Sequence, residues 1–188
     1  MKKFLIGLVT GILLMPFGFY LYCRSGHAPV ATASAPMPLE RFFAKTALHA
    51  TIRREAPKTV PFPATADNLF GGVMVYRQNC AFCHSLPNQR PSPASRGMFP
   101  RPPELFSQRG MVTNDPAGVT YWKVKNGIRL TGMPGFSQSL SNLQMWQVSL
   151  LLKHANRLPA TVAAALNSAP SGSQPAGGSQ PPKAKKKA

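Results

Sequence analysis

The residues best suited to chemistry are two cysteines and a histidine in the segment CAFCH, residues 80–84. Two cysteines at this spacing occur in disulfide oxidoreductases and in zinc sites, and C-x-x-C-H is also the attachment signature of c-type haem. A redox dithiol opens a helix after a strand, whereas a helix is predicted before this motif. A structural zinc ion takes about four ligands, and the only further cysteine is Cys23.

Haem attachment uses all three residues of the motif at once. Cys80 and Cys83 can form thioethers with the two vinyl groups on one edge of a porphyrin, and His84 follows them as a ligand to the iron. A covalently held haem also supplies apolar volume that a small domain with long loops otherwise lacks. The motif therefore favours haem c over zinc and over a dithiol.

The elements that must position this motif are predicted to be helices. Asp67 is the expected N-cap of a helix that runs to the motif, and Asp115-Pro116 opens a second helix that ends near Gly127. Ser141 is the expected cap of a third helix, which continues to about residue 158. Proline-rich and glycine-rich loops join them, and no segment alternates with the period of two that marks a strand. The fold class predicted is all-α.

Two residues before the motif connect these helices to a known family. Gly72 and Tyr76 stand eight and four positions before Cys80, and with CAFCH and the last helix they make residues 66–158 resemble a class I cytochrome c of the membrane-anchored bacterial type. The resemblance implies a helical domain around one covalently attached haem. It also implies that the helix bearing Gly72 crosses the C-terminal helix at that glycine.

A second axial ligand to the iron is expected from another part of the chain. Met133 lies in TGMPGF, residues 131–136, where the neighbouring Gly and Pro residues can fix a loop that presents its thioether, and this segment resembles the methionine-ligand loop of the family. A bis-histidine site and an open sixth position remain alternatives. The other candidate ligands considered are Met98, Met111, Met145, His49 and His154.

The surroundings of the haem are predicted partly from the resemblance. It implies that the carbonyl of Pro103, in Pro103-Glu104-Leu105, accepts a hydrogen bond from the iron-ligating histidine. Tyr121 and Trp122 are candidates for hydrogen bonds to the haem propionates, with simple packing as the alternative. Arg129 is either a propionate partner or a solvated surface charge.

Four segments are expected along the chain. Residues 1–23 form a membrane anchor, because Phe4 to Tyr22 carry no charge and reach roughly 28 Å as a helix, although a cleaved signal peptide remains the alternative. Residues 24–65 are a Pro/Ala linker with a short amphipathic helix, which lies either on the lipid surface or against the protein. Residues 66–160 are the cytochrome c domain, and residues 161–188 are a disordered, Lys-rich, low-complexity tail.

Charge and export together narrow the function. The chain carries a net charge of +17, but an exported, membrane-tethered protein rarely meets nucleic acid, so acidic redox proteins and anionic lipids are the expected partners. With the iron ligated on both faces, no small-molecule substrate is expected. The predicted function is one-electron transfer between redox proteins of a respiratory chain, on the periplasmic side of the cytoplasmic membrane. The alternatives are a fixed subunit of a respiratory or dehydrogenase complex, and a haem enzyme or gas sensor with an open sixth position.

Overall fold

The computed structural model describes residues 1–107 and 112–168, and all the regular secondary structure in these ranges is helical. No strand occurs in these ranges, so the all-α prediction is confirmed. A short 3-10 turn spans Val112–Asn114. The helices are α1 (Lys2–Arg24), α2 (Glu40–Glu55), α3 (Ala66–Asn79), α4 (Ala81–His84), α5 (Pro93–Arg96), α6 (Ala117–Asn126), α7 (Asn142–Lys153) and α8 (Ala160–Asn167).

The core of the domain that contains CAFCH is formed where α3 packs against α7. A Cβ atom on Gly72 would overlap the backbone carbonyl of Gln147 and lie 2.9 Å from the Leu151 Cβ, so the missing side chain lets the two helices touch. The predicted crossing at Gly72 is thereby confirmed. On the other side of α7, the rings of Tyr121 in α6 and Trp146 stack at a centroid distance of 4.2 Å.

The ends of the helices agree with the prediction in two cases and differ in two. Helix α7 ends at Lys153, about five residues before the predicted end near residue 158, and His154 is its C-cap. Ser141 and Gln144 form a capping box at the start of α7, and α6 ends at Gly127, which has a φ of 68°. The prediction that Asp67 caps α3 is wrong, because the Thr65 Oγ1 accepts the hydrogen bond from the Asn68 N–H. A cap must stand outside the first turn to reach that N–H, and Asp67 is inside it, where its charge instead complements the helix dipole.

Helix α8 lies in a segment for which no helix is predicted. Val162 and Leu166, four residues apart, are buried against the core, and the Arg77 guanidinium of α3 donates hydrogen bonds to the carbonyls of Ala165 and Leu166 at 3.0 and 3.2 Å. Two large apolar residues among alanines are a weak helical pattern, and their burial depends on α3 rather than on local sequence. The packed structure thus extends beyond residue 160, and the expected disorder of residues 169–188 lies outside the described residues.

The two N-terminal helices differ in their surroundings. Helix α1 is apolar and long enough to cross a membrane, and none of its residues is buried, but a signal sequence meets the same description. Helix α2 packs against the domain that contains CAFCH near the C-terminal end of the helix. Ile52 and Ala56 are buried there, and the Glu55 carboxylate accepts a hydrogen bond from the Trp122 Nε1 at 3.1 Å.

Candidate haem site

The CAFCH segment forms a single helical turn directly after α3. Cys80 ends α3 and begins α4, and its carbonyl accepts hydrogen bonds from the backbone N–H groups of Cys83 and His84 at 3.1 and 2.9 Å. Residues three apart in a helical turn lie on the same side, so the two thiols are neighbours. Neither cysteine is in a disulfide.

The environment of the thiols is unlike that of a redox dithiol. Burial, with a smaller contribution from the nearby Cys83, raises the pKa of the Cys80 thiol to about 12. Disulfide oxidoreductases need the opposite, a thiolate stabilised by a lowered pKa. The Cys80 thiol is therefore protonated at neutral pH, which suits a structural or covalently attached cysteine.

The ring of His84 is held in one orientation by a distant carbonyl. Its Nδ1 lies 2.8 Å from the Pro103 carbonyl oxygen, and because a carbonyl can only accept, Nδ1 carries the proton. The other ring nitrogen, Nε2, then keeps its lone pair. Burial lowers the pKa of His84, against a smaller opposing effect of the bond to Pro103, so the imidazole is neutral at pH 7. A neutral imidazole with one nitrogen hydrogen-bonded is the usual state of a metal ligand.

Tyr76 fixes the chain immediately after the histidine. Its hydroxyl donates a hydrogen bond to the Ser85 carbonyl at 2.6 Å, and its ring meets Phe106 edge-on at a centroid distance of 4.9 Å. Burial raises the pKa of Tyr76 above its ordinary value, so the hydroxyl stays a donor. Ser85 has a φ of 64°, which reverses the chain after α4. Sequence reasoning used Tyr76 only as a marker of the fold and gave no signal of this contact.

The segment around Met133 is a tight loop held by its own hydrogen bonds. The Ile128 N–H donates to the Met133 carbonyl at 3.1 Å, and the Met133 N–H donates to the Thr131 Oγ1 at 3.1 Å. Gly127 packs so closely on this loop that a Cβ atom there would lie 2.6 Å from the Pro134 carbonyl carbon. The Met133 side chain is half-buried and packs against the core.

A second methionine lies beside this loop. A Cβ atom on Gly132 would be 2.9 Å from the Met98 Sδ, so the thioether of Met98 occupies the space that this glycine leaves. The sequence offered no motif that joins residues 98 and 132. Met98 is consequently an alternative ligand that lies against the Met133 loop.

The remaining candidate ligands have other surroundings. Met145 is buried in the core, and the Nδ1 of His154 donates a hydrogen bond to the Leu150 carbonyl at 2.9 Å, at the end of α7. His49 is exposed on α2. Met111 lies outside the described residues.

The two aromatic residues predicted near the propionates already have hydrogen-bond partners. Tyr121 donates its hydroxyl hydrogen to the Asn142 Oδ1 at 2.7 Å, and Trp122 donates its indole hydrogen to Glu55. Each group has one hydrogen to give, which disfavours the propionate bonds expected of them. Arg129 is exposed, as the surface-charge alternative requires.

These donors fit a covalently attached haem. The described residues offer two thiols outside any disulfide on one turn, a histidine with a free lone pair on Nε2, and a methionine in a constrained loop. Within residues 1–107 and 112–168, no three His, Cys, Asp or Glu side chains come together as a metal cluster would require. The chemistry of the set is that of a haem rather than a zinc site.

An all-helical domain with a C-x-x-C-H turn is typical of c-type cytochromes. Residues 67–150 match the family described as "Cytochrome C oxidase, cbb3-type, subunit III". The match is less than half of the 188 residues, but it begins in α3, ends in α7, and includes both CAFCH and the Met133 loop. It supports a c-type cytochrome domain. No curated protein matches the chain.

Proposed function

We propose that this protein is a membrane-anchored, monohaem, class I cytochrome c that passes single electrons between redox proteins on the periplasmic side of the cytoplasmic membrane. The observation that carries the proposal is the CAFCH turn with His84 oriented by the Pro103 carbonyl at 2.8 Å. CAFCH is the only C-x-x-C-H segment in the 188 residues, which supports one haem for this chain.

Each ligand role is assigned to a particular atom. The Sγ atoms of Cys80 and Cys83 form the thioethers, and the Nε2 of His84 is the proximal ligand. The Sδ of Met133 is the second axial ligand, supported by the short hydrogen bonds that hold its loop. Haem c, when bound, supplies reversible one-electron chemistry at its iron.

The protein's own residues keep the site rigid. Pro103 holds the His84 ring, Tyr76 holds the backbone after it, and Gly127 allows the Met133 loop to close. A rigid ligand set limits rearrangement when the charge of the site changes by one unit. Because both axial positions are assigned to side chains, the proposal leaves no iron position for a small-molecule substrate.

Helix α1 supports the location. Its length and apolar composition suit a single span, the lysines before it suit a cytoplasmic start, and Tyr20 and Tyr22 suit the opposite interface. The domain that follows would then be periplasmic. Acidic redox proteins are the proposed partners, because the chain's net charge is +17.

The family match favours a second candidate function. Its description names a subunit of an oxidase, so this chain would be the cytochrome subunit of a respiratory complex rather than a free carrier. The two candidates differ in partner stability and not in chemistry. A stoichiometric partner that copurifies in mild detergent would support the subunit, and recovery of the chain alone would support the carrier.

An optical and redox titration of the purified holoprotein tests the shared chemistry. We expect one haem per chain by the alkaline pyridine assay, and a single one-electron wave on titration. Protein that carries no haem, or that requires two redox waves, would contradict the monohaem proposal. Cys83→Ala is the informative variant, since loss of one thioether should change the pyridine spectrum while haem remains attached through Cys80.

A further inference from the structure

Helix α2 is held against the cytochrome domain by one face. Arg41, Ile52 and Glu55 lie on one side of the helix. Ile52 follows Arg41 by eleven residues and Glu55 follows Ile52 by three, and residues at these intervals point in nearly the same direction from the helix axis. The Arg41 guanidinium lies 5.3 Å from the centre of the Phe99 ring, Ile52 is 5% exposed, and Glu55 accepts a hydrogen bond from Trp122. These contacts span the helix from its first turn to its last, so its orientation on the domain is set.

The opposite face carries aromatic and basic side chains that face solvent. Phe42 and Phe43 are each 62% exposed and touch edge-on at a centroid distance of 5.4 Å. Ala50 follows them on the same side, and Arg54 is exposed at the end of the helix. Arg53 is exposed at the edge of this side, where it also borders the groove lined by Ile52, Asp115 and Lys123. We call Phe42, Phe43, Ala50, Arg53 and Arg54 the outer face of α2.

The charge around the outer face is positive. The acidic residues of α2 are Glu40 and Glu55, and both are engaged by neighbours: Glu40 accepts from the Met37 N–H at 2.9 Å, and Glu55 accepts from Arg54 at 2.6 Å and from Trp122. Hydrogen bonds from Arg54 and then Trp122 lower the pKa of Glu55. Arg53 has no carboxylate partner among the described residues, and Lys45 and Lys58 are exposed nearby. An anionic surface is therefore the complementary one.

The position of α2 in the chain brings a membrane within its reach. Residues 25–39 separate it from the apolar helix α1, and this segment extends to at most about 50 Å. Phe42 and Arg53 lie about 16 Å apart along the helix axis, because Arg53 follows Phe42 by eleven residues and each residue adds a rise of about 1.5 Å. A helix lying flat on a bilayer places aromatic rings at the headgroup boundary and arginines among the phosphates.

We propose that the outer face of α2 rests on the anionic lipid surface and holds the cytochrome domain in one orientation to the membrane. Phe42 and Phe43 insert at the boundary between headgroups and acyl chains, and Arg53 and Arg54 bind lipid phosphates. The inference rests on the proposed anchoring by α1. In this arrangement α2 contacts lipid and the cytochrome domain at the same time, whereas a flexible tether would require neither contact.

Spin labels on the full-length holoprotein in vesicles test this arrangement. Cys23→Ser removes the free thiol outside the haem motif, and single cysteines are then added as Ala50→Cys on the outer face, Leu13→Cys in α1, and Gln78→Cys on the exposed side of α3. Accessibility to oxygen and to a nickel chelate is measured by electron paramagnetic resonance, with the protein oxidised. The vesicles are phosphatidylcholine, with or without about one third phosphatidylglycerol.

With anionic vesicles we expect the Ala50→Cys label to be protected from the nickel chelate, and the Gln78→Cys label to be fully accessible. That protection should be lost in the Phe42→Ser/Phe43→Ser double variant, and weakened by Arg53→Gln/Arg54→Gln or by pure phosphatidylcholine. The Leu13→Cys label should report hydrocarbon in every case.

The contrary outcomes separate the inference from the anchoring. An accessible label at residue 50 with a hydrocarbon-buried label at residue 13 would overturn the inference and leave the anchor intact. An accessible label at residue 13 would overturn both. The label at residue 50 could also be protected from the nickel chelate only when other membrane proteins are added, whatever the lipid. That result would assign the outer face to a protein partner and overturn the lipid proposal.

Discussion

At the scale of single residues, one carbonyl decides which nitrogen of His84 is available. The Pro103 oxygen takes the Nδ1 hydrogen, and burial keeps the ring neutral by lowering its pKa. The histidine proposed as ligand is thus oriented by the protein fold, in the way that carbonyls and carboxylates orient histidines in metal sites generally. The companion question at this scale is whether Met133 is the second axial ligand, as proposed.

Replacing Met133 with Ala should open the sixth position. We expect the oxidised variant to lose the weak near-infrared band of methionine–iron bonding and the reduced variant to bind carbon monoxide, and we expect a lower reduction potential. The matched control is Met98→Ala, which removes the neighbouring thioether. If Met98→Ala loses the band and Met133→Ala keeps it, the ligand assignment is reversed. If neither variant changes the spectrum, a bis-histidine site or an open position replaces the proposal.

Gly72→Ala should destabilise the holoprotein by about 1–3 kcal/mol, which is a fall of several degrees in Tm for a domain of this size. The new methyl group would meet the Gln147 backbone carbonyl and the Leu151 Cβ, neither of which can swing aside. Thermal denaturation followed by circular dichroism measures the effect.

Gly71→Ala is the control for that substitution, because both changes add the same helix propensity, about 1 kcal/mol. At Gly71 the added Cβ meets only the amide end of the Gln147 side chain, at 2.7 Å, which can rotate away. We expect a Tm equal to or above that of the wild type. An equal fall in Tm for both variants would show that α3 and α7 are not in close contact at Gly72.

At the scale of elements, α8 shows how a weak helix is retained. It has eight residues, fewer than an isolated helix needs in water, so its stability comes from packing. Val162 and Leu166 supply the apolar contact, and Arg77 satisfies carbonyls that would otherwise end the helix unpaired. The helix therefore depends on α3.

Arg77→Ala should loosen α8 without unfolding the domain. Its Nη1 donates to the carbonyls of Ala165, Leu166 and Ser168, and their loss is worth about 1–3 kcal/mol. Amide hydrogen exchange should then speed up about tenfold or more in residues 162–167, with residues 145–152 of α7 less affected. Arg90→Ala, at an exposed loop position, should leave both segments unchanged. Unchanged exchange in α8 after Arg77→Ala would show that apolar packing alone holds it.

At the scale of the whole molecule, charge is the property that reaches a partner before contact. The chain carries 22 Lys and Arg residues against 5 acidic ones. Residues 66–158 share in this excess, so the domain itself is basic and not only its ends. Fields of this kind raise association rates with acidic partners and are screened by salt.

Electron transfer to an acidic redox protein should slow about tenfold when the ionic strength rises from about 10 mM to about 500 mM, because screening shortens the range of attraction. Stopped-flow absorbance measures the second-order rate. Arg129→Glu, beside the Met133 loop, should lower the rate more than Arg157→Glu in the loop between α7 and α8, and both residues are exposed. A rate that is independent of salt, or equal effects of the two reversals, would contradict electrostatic docking near the haem ligands.

The sequence predicts well wherever the information is local. Ser141 with Gln144 caps α7, and Gly127 ends α6, because each signal lies within a few residues of its effect. The cap of α3 was assigned to Asp67 instead of Thr65 because two capping residues stand close together and only geometry separates them. The sequence did not predict α8 or the contacts of α2 with the domain, because both depend on residues far away in the chain.

By itself, the sequence determined the C-x-x-C-H motif, the helical class and the apolar helix near the N-terminus. Each of these features depends on residues that are close together in the sequence. Only the tertiary structure decided that Pro103 orients His84, that Met98 lies against Gly132, and that Arg77 holds α8. Each of these contacts joins residues separated by irregular loops. The path of such a loop follows from the packing of the whole domain, and no repeating pattern in the sequence records it.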